Sequence, residues 1–348
     1  MNQKNKKRKP EIPLINSEDK NLDKITFLKD IVNDSYAHYW LDNVFTVFKS
    51  VNNILLLIYA TFDKSIISYN IYENNKLNEI KNAHQRNITN FRHFLDNKTD
   101  LIISISNDDN ILKLWAVNNL ECLLKLKNIY DLFSAIFFKD HNNYKYIITS
   151  SENRNIQKEP IKFFDMKGNL VKKLKDSICQ TFFIDSYYDI KKLKYYIITG
   201  NSGYVKSYNY NNNSVYHKYG DNDKEYHNSL LINSNETIIK LIESNCNGEI
   251  KIWDFHSGKL LKQIIVGNYL LKGISLLNNE YLFVASGDKN IKLLNLKTGI
   301  VIQDIPGHNS YVLTVKIIIH PNYGYCLISQ GAYHDTIKLW AILNQLIK

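Results

Sequence analysis

One short pattern returns seven times along the chain: a turn, then an alternating strand that ends on a large anchor residue. Three copies are sharp: Leu112-Lys113-Leu114-Trp115, Ile250-Lys251-Ile252-Trp253-Asp254 and Ile337-Lys338-Leu339-Trp340. Three are weaker: Ile161-Lys162-Phe163-Phe164-Asp165, Val205-Lys206-Ser207-Tyr208-Asn209 and Ile291-Lys292-Leu293-Leu294-Asn295. The faintest is Ile66-Ile67-Ser68-Tyr69-Asn70. The anchors fall at 69, 115, 164, 208, 253, 294 and 340, in steps of 46, 49, 44, 45, 41 and 46 residues. A period of about 40–45 residues suits a four-stranded propeller blade. Seven such units nearly fill a chain of 348 residues.

The text between anchors reads as short strands. An apolar run precedes each anchor strand, at 55–59, 101–106, 146–150, 195–199, 238–242, 281–285 and 325–329. Most are continuous, as expected of strands buried on both faces. Turn formers follow: Asn107-Asp108-Asp109, Asn201-Ser202-Gly203, Asn247-Gly248 and Gly287-Asp288. Helical periodicity is absent, which excludes a helical repeat of similar period. The chain is therefore predicted to be all-β: a seven-bladed β-propeller of four-stranded antiparallel blades over residues 24–348. The chain ends eight residues after Trp340, too soon for another blade. A strand near 24–31 is expected to supply the outer strand of the last blade, closing the ring and leaving only short, protected edges.

These motifs resemble the WD40-repeat family. The Trp-Asp dipeptide stands at Trp253-Asp254 and the Gly-His dipeptide at Gly307-His308. His84, after Ala83, resembles the latter, as do His38 and, more weakly, His227. Their intervals to the following anchors are 31 (from 38), 31 (from 84), 26 (from 227) and 32 (from 308) residues. The resemblance implies a hydrogen-bonded chain of buried His, strand Ser or Thr, turn Asp and anchor Trp. It assigns His84, Ser104, Asp109 and Trp115 to that chain in the second blade, and His308, Ser329, Asp335 and Trp340 in the last. The chemistry is reasonable, because a buried indole N–H and imidazole both need partners. The sequence also departs from the pattern. Asp335 lies five residues before its anchor, where Asp109 and Asp288 lie six before theirs, and His334 takes the usual place. The third and fourth blades hold Lys158 and Ser202 there, and Leu294 has no N–H to donate. Complete tetrads are expected in two blades only.

Composition narrows the function. Hydrophobic residues at 44% and charged residues at 22% are ordinary for a folded protein, and 24 Tyr with 15 Phe favour strands. The formal charge of +10 includes Lys4, Lys6, Lys7, Arg8 and Lys9. Residues 1–20 read as a basic, disordered tail, whether plain, a nuclear address or a nucleic-acid contact. The four cysteines, Cys122, Cys179, Cys246 and Cys326, are too far apart for zinc or redox spacings and read as small buried hydrophobes. The start of the chain lacks the apolar run of a signal peptide, and the aliphatic run 54–58 is too short to span a bilayer. A cytoplasmic or nuclear protein without a membrane partner is expected. No nucleophile elbow, phosphate loop, His-Glu-x-x-His or Gly-x-Gly-x-x-Gly occurs. Hence no catalytic residue, metal or cofactor is expected.

The function expected is a non-catalytic scaffold that binds a protein or peptide on the loop-rich face of the ring. The alternatives are a nucleic-acid-associated propeller using the basic tail, and an enzyme with a site assembled from several blades. The long third-blade loop at 151–160 nominates Arg154 and Ile156 as contacts. In the family, the residue before the turn Asp faces the partner, which adds Asp108 and His334.

Overall fold

The computed structural model describes residues 24–38, 43–127, 129, 132–151, 161–174, 181–220, 226–234 and 238–347. The basic segment 1–20 and the loop carrying Arg154 and Ile156 lie outside these residues.

The strands form seven separate four-stranded antiparallel sheets. Blades 1 to 6 run from Phe45 to Ile80, Asn90 to Leu126, Leu132 to Leu174, Thr181 to Tyr219, His227 to Ile265, and Leu271 to Ile305. Blade 7 takes Val312–His320, Gly324–Gly331 and Ile337–Ile342. Its fourth strand is Ile25–Val32, pairing Ile25 with Ile342, Phe27 with Trp340 and Val32 with Ile337. The chain is thus a seven-bladed β-propeller closed by its N-terminal strand. Within a blade the strands are called a to d in chain order, the closing strand acting as d of blade 7. Strands a meet one another across the ring, whereas strands d turn half their residues to solvent, so a is innermost.

The core is divided rather than continuous. Seven apolar clusters lie one in each seam between neighbouring blades. Each anchor sits in the seam with the blade before its own. Tyr69 faces blade 7, Trp115 blade 1, Phe164 blade 2, Tyr208 blade 3, Trp253 blade 4, Leu294 blade 5 and Trp340 blade 6. A single large side chain per repeat therefore ties each blade to its predecessor. Fully burying such a residue is worth about 1.5–3 kcal/mol, and nearest-neighbour interfaces of this kind carry the stability of repeat folds.

Two expectations need correction. The apolar run at 238–242 is shifted: the strand is Lys240–Asn245, and Ile238 is exposed in the preceding hairpin. Cys326 is buried, its thiol pushed up to about 12 by desolvation, but Cys122 is exposed and Cys246 half-exposed. Cys122 lies on an outer strand d (Glu121–Leu126), where most residues meet water. Cys179 lies outside the described residues.

Candidate functional site

Two ends of the ring differ. One carries the b–c turns and the d–a loops; the other carries the a–b hairpins and c–d turns. The first end is built on the histidine networks.

In blade 2, Trp115 donates to Ser104 Oγ at 2.8 Å, and that hydroxyl lies 2.7 Å from His84 Nε2. The other ring nitrogen, Nδ1, is 3.3 Å from Asp109 Oδ2, which also accepts the Gln85 amide at 3.1 Å. Because an ionised Asp109 can only accept, Nδ1 carries the proton toward it, and the unprotonated Nε2 accepts the serine hydroxyl, which in turn accepts the indole N–H. Burial pulls His84 below its usual pKa more than Asp109 raises it, so the ring stays neutral. Blade 7 repeats the chain: Trp340 to Ser329 at 2.8 Å, Ser329 to His308 at 2.7 Å, His308 to Asp335 at 3.0 Å. Asp335 reaches its place despite the one-residue offset and also accepts the amides of Asn309 and Ser310. Burial pushes the Asp335 carboxyl up, but His308 and the backbone amides outweigh it and hold it below the usual range. Gly307, at φ +141°, passes against the tetrad so closely that a Cβ there would stand 2.8 Å from the Trp340 ring.

Blade 5 solves the same problem with different residues. The strand position equivalent to Ser104 and Ser329 holds Glu243, fully buried. One carboxylate oxygen accepts the Trp253 indole at 2.9 Å, and the other is hydrogen-bonded to His227 Nδ1. The sequence pattern sought Ser or Thr at this place, so this triad was missed. Blades 3 and 4 hold Thr149 and Thr199 there, and their hydroxyls have no hydrogen-bond partner among the described residues. Blade 1 holds Tyr59, which donates to Asp34 at 2.9 Å. His38 is therefore not matched by a serine in its blade.

The networks fix the turns that present a surface. After the closing strand, residues 35–37 thread between blades 7 and 1. Ser35 donates to the Asp335 carbonyl at 2.8 Å, the Tyr36 amide to Ala60 at 2.8 Å, and Ala37 and Tyr333 exchange both backbone bonds. Tyr36 is thereby held between the two b–c turns. Its ring stands 5.3 Å from Phe62 of blade 1 and 5.3 Å from His334 of blade 7, and those two stand 4.8 Å apart. Tyr36 is buried, but Phe62 is 55% and Tyr333 42% exposed. Lys64 lays its ammonium 5.4 Å over the Phe62 ring. From the loop between blades 1 and 2, Asn87 donates to the Tyr36 hydroxyl at 3.5 Å. Burial raises the Tyr36 hydroxyl, and the charges of Tyr333 and Asp108 raise it further. The same Asp108 charge opposes the burial that lowers His38. His334, named from the sequence, thus belongs to the aromatic cluster, and Asp108, named on a separate blade, is near enough for its charge to act on Tyr36 and His38. Tyr36, Phe62 and Tyr333 were not foreseen there.

One recess, of about 420 Å³, lies between blades 5 and 6 among Lys240, Ile252, Leu261 and Leu296; another, of about 180 Å³, lies among the inner strands, lined by Arg92, Phe183, Asp185, Ser229, Ile274 and Lys316. The smaller is below the roughly 300–1,000 Å³ of ordinary small-molecule sites. Among the described residues no group of three or more His, Cys, Asp or Glu is placed to hold a metal ion, and no helix is long and apolar enough to cross a membrane. No protein-family model matches the chain.

Proposed function

We propose that this chain is a WD40-type propeller acting as a non-catalytic interaction scaffold in the cytoplasm or nucleus. It binds a protein or peptide across the b–c turns of blades 7, 1 and 2. The observation that carries this reading is the Tyr36–Phe62–His334 cluster, with Tyr333 at its border and Asp108 near enough for its charge to act on Tyr36. Aromatic rings on rigidly held turns are common anchors of protein interfaces, with polar and charged groups at the rim. The tetrads of blades 2 and 7 support the family reading, because they hold these turns by a relay of four side chains.

The test is affinity purification of the full chain from its own lysate beside a Phe62→Ala/His334→Ala variant, read by mass spectrometry. A protein that co-purifies in stoichiometric amount and is lost with the variant supports the scaffold. Partners retained by the variant place the contact elsewhere. Recovery of nucleic acid alone, with a steep salt dependence, would favour the basic segment at Lys4–Lys9 instead.

A further inference from the structure

The opposite end of the ring has its own chemistry. We propose that it docks on an anionic lipid bilayer, with the a–b hairpin tips entering the headgroup layer and their lysines meeting lipid phosphates and carboxylates. Six of the seven a–b hairpins turn a large apolar side chain to solvent at or beside the tip. Val51, Leu95 and Tyr144 do so in blades 1 to 3, and Ile238 and Ile319 in blades 5 and 7. Blade 4 carries two, Ile190 and Leu193, at 74% and 71% exposure. Blade 6 is the exception and holds Glu280.

Charge is sorted to match. In the blade 4 hairpin, Lys191, Lys192 and Lys194 are all exposed beside the two aliphatic tips, and Lys49, Lys98 and Lys139 are exposed in blades 1 to 3. The acids of these hairpins turn inward. Asp140 and Asp189 are buried and accept amides of their own turns, from Asn142 at 2.9 Å and Lys191 at 2.9 Å. Asp100 is buried between His93 at 2.8 Å and the Val51 amide at 2.8 Å, and Asp96 is paired with Lys145. On these hairpins what faces outward is mainly alkyl and ammonium; the exposed acids of this end, Glu73 and Glu121, stand at the c–d turns.

The shape decides among anionic surfaces. Separate tips form no groove to enclose a peptide, and all of them but Tyr144 are aliphatic and offer nucleic-acid bases nothing to stack on. A soft, flat, negatively charged layer accommodates all of them together. Backbone geometry adds a second observation. Leu193 adopts φ +52°, a left-handed conformation that is unfavourable for leucine. The hairpins of blades 1, 2 and 3 place Asn53, Asn97 and Asn143 at such positions. Blade 4 keeps a solvent-exposed leucine where asparagine would fold better, so folding stability does not account for it.

The measurement is flotation of the full chain with phosphatidylcholine vesicles, alone or with phosphatidylserine added. The chain is expected to float with the mixed vesicles and not with phosphatidylcholine alone. Leu193→Asn should lower the bound fraction while holding or raising the melting temperature, a pairing that a purely structural leucine would not give. Ile190→Asp/Leu193→Asp should weaken binding by on the order of tenfold or more. Ile265→Asp, exposed at the opposite end of an outer strand, should leave it unchanged. No flotation with either vesicle overturns the proposal and leaves an acidic protein as the occupant of this end. Flotation unaffected by the tip variants and abolished by salt also overturns it, and assigns the contact to Lys4–Lys9.

Discussion

The indole N–H of Trp253 donates to Glu243 at 2.9 Å, and the same carboxylate is hydrogen-bonded to His227, with Glu243 and His227 fully buried. A carboxylate in a dry seam is tolerable only while both donors remain, because an unpaired buried charge is costly. Glu243→Ala orphans the indole and the imidazole together and should cost about 3 kcal/mol or more. Glu243→Gln keeps an acceptor for the indole and should cost less. Urea unfolding of the two variants checks the order; equal losses would mean that the carboxylate charge has no part in holding this seam.

Trp253→Ala should cost about 3–5 kcal/mol, as the truncation of a buried aromatic leaves a cavity between blades 4 and 5. A loss below about 1 kcal/mol would show that the anchor does not hold the seam.

Gly307→Ala should destabilise blade 7 by more than 1 kcal/mol or so, since φ +141° is open to glycine and the added methyl meets Trp340 at 2.8 Å. Near-ultraviolet circular dichroism should report the displaced indole. An unchanged spectrum and melting point would contradict the close approach.

Stability should fall on mild acidification. Burial lowers the pKa of His38, His84, His93, His256 and His320. Each therefore binds a proton more readily unfolded than folded. Their contribution is complete above the unfolded value of about 6.5 and is lost as pH drops below it. Asp109 and Asp335, held low by their histidines and amides against the opposing push of burial, extend the loss below about pH 4. Unfolding free energies at about pH 7 and pH 5 test this; equal values would exclude the histidine contribution.

Removing residues 1–20 should leave melting nearly unchanged, whereas removing 1–32 deletes the strand that pairs with Ile337–Ile342 and carries the Phe27 contact to Trp340 at 5.4 Å. Thermal melts that coincide would show that closure does not depend on this strand.

Much of this was legible in the sequence, for a physical reason. Trp115, Trp253 and Trp340 announce their blades because a seam needs one large residue at a fixed strand position, and Leu294 serves as well by bulk alone. Asp335 was assigned only through the family resemblance, against its irregular spacing; its contacts with His308 and the turn amides are visible in the structure alone. Glu243 escaped notice because the sought hydroxyl had been exchanged for a longer acceptor. The Tyr36–Phe62–His334 cluster escaped because its rings are brought together only by ring closure, from opposite ends of the chain. The exposed hairpin tips, spaced one repeat apart, carry no local signature at all.

The closing strand is made first on the ribosome and finds its partner last. The pairing of Ile25 with Ile342 waits for translation of nearly the whole chain. Until then blade 7 lacks its rim, and both ends of the growing array present unsatisfied backbone. Contacts so distant along the polypeptide slow folding and lengthen the interval in which such edges can pair with a stranger. Newly made chains should therefore depend on chaperones until the strand Ile337–Ile342 emerges, and closed rings should not.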